Sequence, residues 1–132
     1  IWALGKLCYL PIVPQEPHNP LSFAPVVCDT SLEKNRFGVL EPVVPTQVLI
    51  TAKQLDLIFL PLVGFDPEGN RLGMGSGFYD RSLAFLRDRT HRGNPHPVGL
   101  AHDFQHIDGF AVDPWDVPLE AVITDKYVYA FD

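Results

Sequence analysis

The stretch LDLIFLPLVGF, residues 55–65, is the most hydrophobic in the chain. A continuous run of Leu, Ile, Phe and Val of this length is typical of a central parallel strand with both faces covered. It is followed by DPEGNRLGMGSG (66–77), which is rich in turn-forming residues, and by FYDRSLAFLRDR (78–89), where apolar residues recur at near-helical spacing. A strand, a loop and a helix in this order predict an α/β fold.

Further strands are predicted on both sides of this stretch. PVGLAH (97–102) is a second central strand, and AVITDKYVYAF (121–131) supplies one or two more. Upstream, KLCYLPIV (6–13) predicts a short buried strand, and LSFAPVVC (21–28) predicts a strand near an edge because it contains proline. We therefore expect a mostly parallel sheet flanked by helices, in the form of an open three-layer α/β sandwich.

Length and composition favour a single domain over residues 1–132, because a chain of this length can bury one sizeable core. The net charge is −6, and no cluster of Lys or Arg could neutralise a row of phosphates, so nucleic acid is not an expected partner. No apolar run approaches the roughly 18 residues that cross a bilayer, so no membrane partner is expected. We also expect a monomer.

Two short features concern the setting and the start of the chain. Cys8 and Cys28 have no CxxC partner and lie in apolar, strand-like stretches, so we expect buried free thiols in a reducing, cytoplasmic environment. The first residues, IWALG, resemble the last turn of a helix that ends at Gly5. We expect the natural polypeptide to extend further upstream.

The loop RLGMGSGFYDR (71–81) gives the strongest functional signal, with glycines at positions 73, 75 and 77. A Gly-rich loop between a buried strand and a helix lies at the carboxyl end of a parallel sheet, where free N–H groups and the helix dipole favour an anion such as phosphate. The spacing matches neither a Walker A loop nor a full dinucleotide fingerprint. The structural alternative is a tight loop whose glycines only allow positive φ and close packing.

Asp80 follows this loop directly. It could be a simple partner of the helix dipole, but a carboxylate just beyond a phosphate-binding loop can also hold a Mg²⁺ that bridges phosphate oxygens. Arg71 and Arg81 would offset the local negative charge. The residues themselves therefore predict a site for a polyphosphate with a divalent cation.

The segment 56–81 closely resembles the signature of the 5-formyltetrahydrofolate cyclo-ligase (5,10-methenyltetrahydrofolate synthetase) family. It contains a Pro-bearing strand, GFD, a G-x-R-L-G-x-G-x-G pattern and an aromatic-Tyr-Asp sequence. The resemblance continues, in the expected order, through GKLCYLP (5–11), RFGVLEP (36–42), VGLAHDFQ (98–105) and DPWDVPLEAVIT (113–124). The chain is identified as a member of this family, forming one cyclo-ligase-like domain.

The resemblance implies an ATP- and Mg²⁺-dependent conversion of 5-formyltetrahydrofolate to 5,10-methenyltetrahydrofolate, with release of ADP and phosphate. In this reaction the γ-phosphoryl group moves to the formyl oxygen, N10 of the folate attacks the activated carbon, and phosphate leaves. The protein mainly has to align the phosphoryl group with that oxygen and neutralise charge.

The resemblance also implies a role for each matching residue. The ATP phosphates would be wrapped by Arg71, Leu72, Gly73, Met74, Gly75, Ser76, Gly77, Phe78 and Tyr79. The folate would be bordered by Phe37, Met74, Gly75, Ser76, Gly77 and Phe78. Arg71 and Tyr79 would act in catalysis, and Asp80 and Asp116 would bind Mg²⁺. A loop cap is the alternative for Asp116, and a core position is the alternative for Phe37.

Two departures from the family pattern bear on activity. Many members have Lys where this chain has Ser76, so Arg71 or Arg81 would have to supply the cation. The family usually draws a Lys/Arg pair for ATP and a Glu for the folate from a segment upstream of GKLCYLP, and no residue of this chain matches them. We therefore expect weak nucleotide binding and little turnover from these 132 residues.

Two other functional classes remain open. One is a non-catalytic nucleotide- or folate-binding module or an inactive fragment of the same fold. The other is a relative of sugar-phosphate isomerases, which would need a paired acid and base, whereas the loop offers only Asp80.

Several other residues are given modest roles. A zinc site at His102, Asp103 and His106 is disfavoured because no third soft ligand is near in sequence. His91 and His96 are expected to be solvated in a Pro/Gly loop. Trp115 is expected to pack, and Gln105 could reach the site from a strand end.

Overall fold

The computed structural model of the chain describes residues 1–88 and 93–131. The strands of these residues are β1 (Cys8–Ile12), β2 (Ser22–Val26), β3 (Leu32–Lys34), β4 (Leu40–Pro42), β5 (Leu57–Leu60), β6 (Gly64–Phe65), β7 (Arg71–Leu72), β8 (His96–Leu100), β9 (Ala121–Ile123) and β10 (Val128–Ala130). The α-helix α1 spans Phe78–Ser82, and 3-10 helices span Trp2–Leu4, Thr46–Val48, Ala52–Gln54, Ala84–Arg87 and Asp103–Gln105.

A four-stranded sheet in the order β10-β9-β8-β5 forms the centre of the fold. β5 pairs with β8 and β8 with β9 in parallel, whereas β10 runs antiparallel to β9. The other strands form three antiparallel pairs, β1 with β2, β3 with β4 and β6 with β7. The segments at 55–65 and 97–102 pair in parallel, as an α/β fold requires, but the sheet is mixed, the helices are few, and the antiparallel share is larger than expected.

The predicted central position of the 55–65 strand is wrong. β5 lies at an edge of the sheet, and its burial alternates: Ile58 and Leu60 are buried, whereas Leu57 and Phe59 are 47% and 40% exposed. Alternation of this kind is typical of a strand with one covered face. The unbroken apolar run is therefore compatible with an edge strand whose second face is apolar but exposed to solvent.

The two faces of the four-stranded sheet differ sharply. The strand register places Ile58, Leu60, Gly99 and Val122 on the covered face. The other face is more open: Val98 at its centre is 8% exposed, but it also carries apolar side chains that are more than a third exposed, namely Leu57, Phe59, Leu100, Ile123 and Val128. Within the described residues no helix covers this face, so the predicted third layer is not confirmed.

The core holds α1 against the sheet. Phe65, Leu83 and Val122 are almost fully buried in one cluster with Leu60. The hydroxyl of Ser82 accepts a hydrogen bond from the N–H of Leu21 at 2.8 Å, which ties the end of α1 to the segment before β2. These contacts fix the direction in which the preceding glycine loop enters the helix.

The helix predicted over 78–89 is much shorter than expected. α1 has five residues and continues after Leu83 as the 3-10 helix Ala84–Arg87, while Arg89 lies outside the described residues. The Ser82 hydroxyl donates to the carbonyl of Phe78 at 2.6 Å, a contact that disturbs regular helices. So short a helix contributes little dipole, and any anion site here has to rely on the loop itself.

Smaller expectations have mixed outcomes. The opening residues form a 3-10 helix that ends, as predicted, at Gly5 with a φ of 69°. Both cysteines are free, but their predicted burial is wrong, since Cys8 is half-buried and Cys28, in the turn after β2, is exposed. His96 lies at the start of β8 and not in a loop, and His91 lies outside the described residues. No described helix is long and apolar enough to cross a membrane.

Candidate functional site

A cavity of about 310 Å³ lies next to the carboxyl end of β5. Ligands of open α/β sheets bind at this edge. The cavity is lined by Pro61, Leu62, Arg71, Leu72, Gly73, Met74, Gly75, Ser76, Gly77, Phe78, Tyr79, Asp80, Phe110, Ala111, Asp113, Trp115 and Asp116. The structure thus brings the whole predicted stretch 71–80 together with Asp116 in one cavity.

The β6–β7 hairpin delivers the glycine loop to the cavity. Asp66 Oδ1 accepts hydrogen bonds from the N–H groups of Glu68 and Asn70, and Oδ2 accepts one from Asn70 Nδ2, all at 2.9 Å. Burial raises the pKa of the Asp66 carboxyl, but these hydrogen bonds outweigh burial and hold the pKa below its usual value. The ionised Asp66 therefore fixes the turn from which β7 runs into the loop.

The glycines of the loop serve two physical purposes. Gly75 and Gly77 have φ values of 93° and 73°, which side chains rarely adopt. At Gly73 a Cβ would come within 2.9 Å of Arg71 Nη1, and at Gly77 it would come within 2.7 Å of Arg81 Nη1. The loop therefore needs glycine partly for conformation and partly because two guanidinium groups approach its backbone.

The backbone N–H groups of the loop are without a hydrogen-bond acceptor among residues 1–88 and 93–131. None of the N–H groups at residues 73–77 donates a hydrogen bond to the described part of the chain. Unpaired donors of this kind in a concave site suit an anion with several oxygens. The loop thus combines the conformation of the tight-loop alternative with donors that are free for a ligand.

Arg71 interacts with other residues of the protein through its guanidinium group. Its side chain is 8% exposed, Nη1 donates to the carbonyl of Pro61 at 3.0 Å, and Nη2 lies 3.6 Å from Asp80 Oδ2. The guanidinium also lies 5.7 Å from the centre of the Tyr79 ring. Arg71 therefore supplies a positive charge in the cavity wall between β5 and α1.

Arg81 supports the loop and does not line the cavity. Its Nη1 donates to the carbonyl of Ser76 at 3.0 Å, its Nη2 donates to the carbonyl of Pro17 at 2.7 Å, and the guanidinium lies over the Phe78 ring. Of the two arginines expected to offset local negative charge, Arg71 lines the cavity and Arg81 does not.

Asp80 and Asp116 both reach the cavity. Asp80 Oδ1 accepts a hydrogen bond from the N–H of Val117 at 3.1 Å, and Asp116 Oδ2 accepts one from the N–H of Asp113 at 2.9 Å. Asp116 thus closes a turn through its carboxylate, and the residue also lines the cavity. Two carboxylates fit Mg²⁺, which in nucleotide sites takes one or two protein carboxylates together with phosphate oxygens and water.

Tyr79 and Phe37 differ in their relation to the cavity. Tyr79 lines it, and burial raises the pKa of its hydroxyl although the charge of Arg71 acts in the opposite direction. Phe37 lies outside the lining, in the turn between β3 and β4, and is 58% exposed, so it is not a core residue. Its ring meets the edge of Phe78 at a centroid distance of 6.3 Å.

Sequence reasoning missed one wall of the cavity. Phe110, Ala111, Asp113 and Trp115 line it, from a segment with no regular secondary structure. The only signal available was the position of Trp115 beside Asp116 in the DPWDVP stretch. Gln105 does not line the cavity, but its Nε2 donates to the carbonyls of Leu62 and Val63, which braces the segment after β5.

The possible metal ligands near position 102 have other partners. His102 stacks on Phe104, and His106 stacks on Phe65 at a centroid distance of 4.9 Å. Asp103 Oδ1 accepts hydrogen bonds from the hydroxyls of Tyr129 and Thr124. No group of three or more His, Cys, Asp or Glu side chains placed to hold a metal occurs within residues 1–88 and 93–131.

Comparison with known proteins extends this picture. The 5-formyltetrahydrofolate cyclo-ligase of Haemophilus influenzae is 40% identical to this chain, over 90% of this chain and 62% of that protein. The 5-formyltetrahydrofolate cyclo-ligase of Escherichia coli K12 is 37% identical to this chain, over 98% of this chain and 69% of that protein. The NMR structure of Aquifex aeolicus 5,10-methenyltetrahydrofolate synthetase has a TM-score of 0.74 at 34% identity, covering 95% of this chain and 58% of that one.

The match extends over nearly the whole of this chain. The chain spans about 60% of the length of the Haemophilus influenzae and Aquifex aeolicus proteins. Residues 1–125 match the profile of the 5-formyltetrahydrofolate cyclo-ligase family. The glycine loop, its two carboxylates and the sheet edge that presents them therefore sit in a chain that belongs to the 5-formyltetrahydrofolate cyclo-ligase family.

Proposed function

We propose that this chain carries the phosphate-binding loop and Mg²⁺ ligands of an enzyme that converts 5-formyltetrahydrofolate to 5,10-methenyltetrahydrofolate with ATP. One observation carries the proposal: the N–H groups at residues 73–77, which donate no hydrogen bond to the described residues, belong to a cavity lining that also includes Asp80 and Asp116. Donors of this kind suit phosphate oxygens, whereas carboxylates repel them unless a cation lies between. The pair of features therefore favours a metal-bound polyphosphate over a free phosphate.

The residues divide the binding of this ligand between them. Residues 71–79 would wrap the ATP phosphates, with Arg71 supplying the positive charge that Ser76 lacks. Asp80 and Asp116 would hold Mg²⁺, which supplies positive charge at the phosphate oxygens when bound. The partly buried ion pair of Arg71 with Asp80 would keep both groups in position in the wall.

The chemistry asks for alignment more than for covalent participation. The formyl oxygen would attack the γ-phosphorus while the bond from that phosphorus to the β–γ bridging oxygen breaks, leaving ADP. The N10 lone pair would then form a bond to the formyl carbon while the π electrons of the N5–carbon bond move to N5. N10 would lose its proton to water, and the N5 lone pair would re-form the double bond to carbon as the bond from carbon to oxygen breaks and phosphate leaves with that electron pair. Phosphorylation is needed because an amide-like oxygen is a poor leaving group.

Tyr79 and the apolar part of the loop would orient the folate. Burial raises the pKa of Tyr79, so its hydroxyl stays protonated at neutral pH and can donate a hydrogen bond towards the reacting groups. Met74 and Phe78 line the cavity, and Phe37 contacts Phe78 from outside it. Phe37 would thus contact the folate where it extends beyond the cavity.

We also propose a cytoplasmic, monomeric protein that does not bind nucleic acid. The free thiols of Cys8 and Cys28 suit a reducing compartment, and a net charge of −6 disfavours a phosphate backbone as partner.

The test combines calorimetry with an assay of product formation. The 132-residue chain should bind ATP weakly and only with Mg²⁺, and a longer polypeptide that contains it should form the methenyl product, followed by near-ultraviolet absorbance. Asp80→Asn should abolish both the Mg²⁺-dependent binding of ATP and the formation of the methenyl product. Gly38→Ala, at a glycine outside the cavity, should abolish neither. Binding without turnover in the longer polypeptide would favour the non-catalytic module, and indifference to ATP would refute the proposal.

A further inference from the structure

Trp115 has a large apolar side chain that is exposed to solvent in the cavity. It lines the cavity, yet it is 57% exposed, and it belongs neither to the buried core nor to the apolar side chains packed against that core. The expectation that Trp115 serves packing is therefore not met within the described residues. An exposed aromatic residue in a cavity is a typical ligand contact.

The backbone on both sides of Trp115 is held in place. The carbonyl of Pro114 accepts a hydrogen bond from Arg87 Nη1 at 3.1 Å, and the N–H of Val117 donates to Asp80 at 3.1 Å. A further hydrogen bond closes the turn between Asp113 and Asp116. An aromatic side chain on a fixed backbone loses little conformational entropy when a ligand binds, so the cavity is organised in advance for contact with Trp115.

The cavity as a whole has more apolar surface than a phosphate group needs. Phe110, Met74 and Trp115 line it alongside the glycine loop, and Met74 is 84% exposed. A ligand with phosphates at one end and a flat ring at the other would cover both kinds of surface. Indole rings stack well on flat heteroaromatic rings.

We propose that Trp115 binds a flat heteroaromatic ring of the ligand by stacking. The inference rests on the proposed function, which supplies two ligands with such rings, ATP with its adenine and 5-formyltetrahydrofolate with its pterin. The chemistry of recognition is the same for both, because each ring offers a planar π-face.

The experiment compares affinities of Trp115 variants with those of a matched control. Calorimetry of the full chain would measure the Kd for Mg-ATP, for Mg-tripolyphosphate, which has the phosphates but no ring, and for 5-formyltetrahydrofolate. Trp115→Ala should weaken binding of a ring-bearing ligand about tenfold and leave Mg-tripolyphosphate unchanged. Trp2→Ala should change none of the three, because Trp2 is also half-exposed but lies outside the cavity lining.

Two further variants make the test independent of folding defects in Trp115→Ala. Trp115→Phe keeps a flat ring and should retain most of the affinity, whereas Trp115→Leu keeps an apolar side chain without a ring and should not. Circular dichroism would establish that each variant is folded. Equal affinity of the Phe and Leu variants for both ring-bearing ligands would overturn the inference.

The ligands also separate this inference from the proposed function. A loss confined to ATP would assign the stacked ring to adenine, and a loss confined to 5-formyltetrahydrofolate would assign it to the pterin. An equal loss for Mg-tripolyphosphate, or no loss for any ligand, would overturn the role of Trp115 while leaving the phosphate-binding loop intact. Failure of the unsubstituted chain to bind any of the three ligands would overturn both.

Discussion

The carboxylate of Asp80 accepts a hydrogen bond from the backbone N–H of Val117, with 3.1 Å between Oδ1 and the nitrogen. Asp80 lies on α1, and Val117 directly follows Asp116. This bond therefore joins the helix after the glycine loop to the segment that carries the second carboxylate. The same oxygen atoms that would bind a cation also hold the two walls of the cavity together.

The two roles of Asp80 can be separated by substitution. In Asp80→Asn the amide oxygen can still accept from Val117, so we expect a small loss of stability but at least a tenfold loss of Mg²⁺-dependent ATP affinity. Asp80→Ala should lose affinity and also destabilise the protein by about 1–3 kcal/mol, because the Val117 N–H is left unpaired. Urea denaturation and calorimetry with and without Mg²⁺ would measure both. Equal stability of the two variants would contradict this account.

The glycines of the loop should differ in their tolerance of alanine. Gly75→Ala adds strain at a positive φ in open space, whereas at Gly77 the Cβ would also meet Arg81 Nη1 at 2.7 Å. We expect Gly77→Ala to cost about 1 kcal/mol more than Gly75→Ala and to displace Arg81 from the Ser76 carbonyl. Gly38→Ala, at a φ of 77° with open space around it, is the matched control in urea denaturation. If all three cost the same, Arg81 does not constrain the loop.

Asp66 should make stability depend on pH in the acid range. Burial raises the pKa of its carboxyl, but hydrogen bonds, led by that from the Asn70 side chain, outweigh burial and hold the pKa below 3.8. Because the folded pKa is depressed, its contribution is fully present above 3.8 and is lost as pH falls through the lower folded value.

The stability difference between the unsubstituted chain and Asp66→Ala should therefore be constant near neutral pH and shrink in acid. Urea denaturation at a series of pH values would measure it, with Glu16→Ala, an exposed acidic position, as the control. A difference that grows as the pH falls would contradict the assigned direction of the shift.

Tyr129 should ionise only in strongly alkaline solution. The hydrogen bond from its hydroxyl to Asp103 Oδ1, at 2.5 Å, followed by burial and nearby negative charge, raises the pKa to about 12. A carboxylate acceptor stabilises the neutral phenol, so Asp103→Asn should lower the pKa towards its ordinary value of 10. NMR titration of isotopically labelled tyrosine rings would measure the pKa of Tyr129, with Asp108→Asn as the control variant. An unchanged pKa in Asp103→Asn would contradict the hydrogen bond as the main cause of the shift.

Local sequence patterns predicted the part of the fold that depends on local interactions. Apolar runs and turn-forming residues identified β5, β8 and the glycine loop, and the rule that ligands bind at the carboxyl edge of parallel strands identified the cavity. The same patterns do not report how many layers cover a strand, which is why they predict a central position for β5 although it lies at an edge. The helix over 78–89 was overestimated because apolar spacing does not distinguish an α-helix from the 3-10 helix that follows Leu83.

The wall with Phe110 and Trp115 was beyond sequence reasoning for a different reason. These residues lie in an irregular, Pro- and Gly-containing segment without periodicity. They reach the glycine loop through contacts between distant parts of the chain, such as the hydrogen bond of Arg87 to Pro114. Nothing in the neighbouring residues encodes such contacts.

The open sheet face around Leu57, Phe59 and Ile123 affects the calorimetric behaviour of the isolated chain. Because these side chains are already hydrated in the folded state, unfolding exposes less new apolar surface than in a domain of this length with both sheet faces covered. The heat-capacity increment of unfolding scales with that newly wetted surface. For the 132 residues of this chain it should fall below the roughly 1.6–2 kcal/mol/K of an ordinary globular domain. The curve of stability against temperature should accordingly be unusually flat.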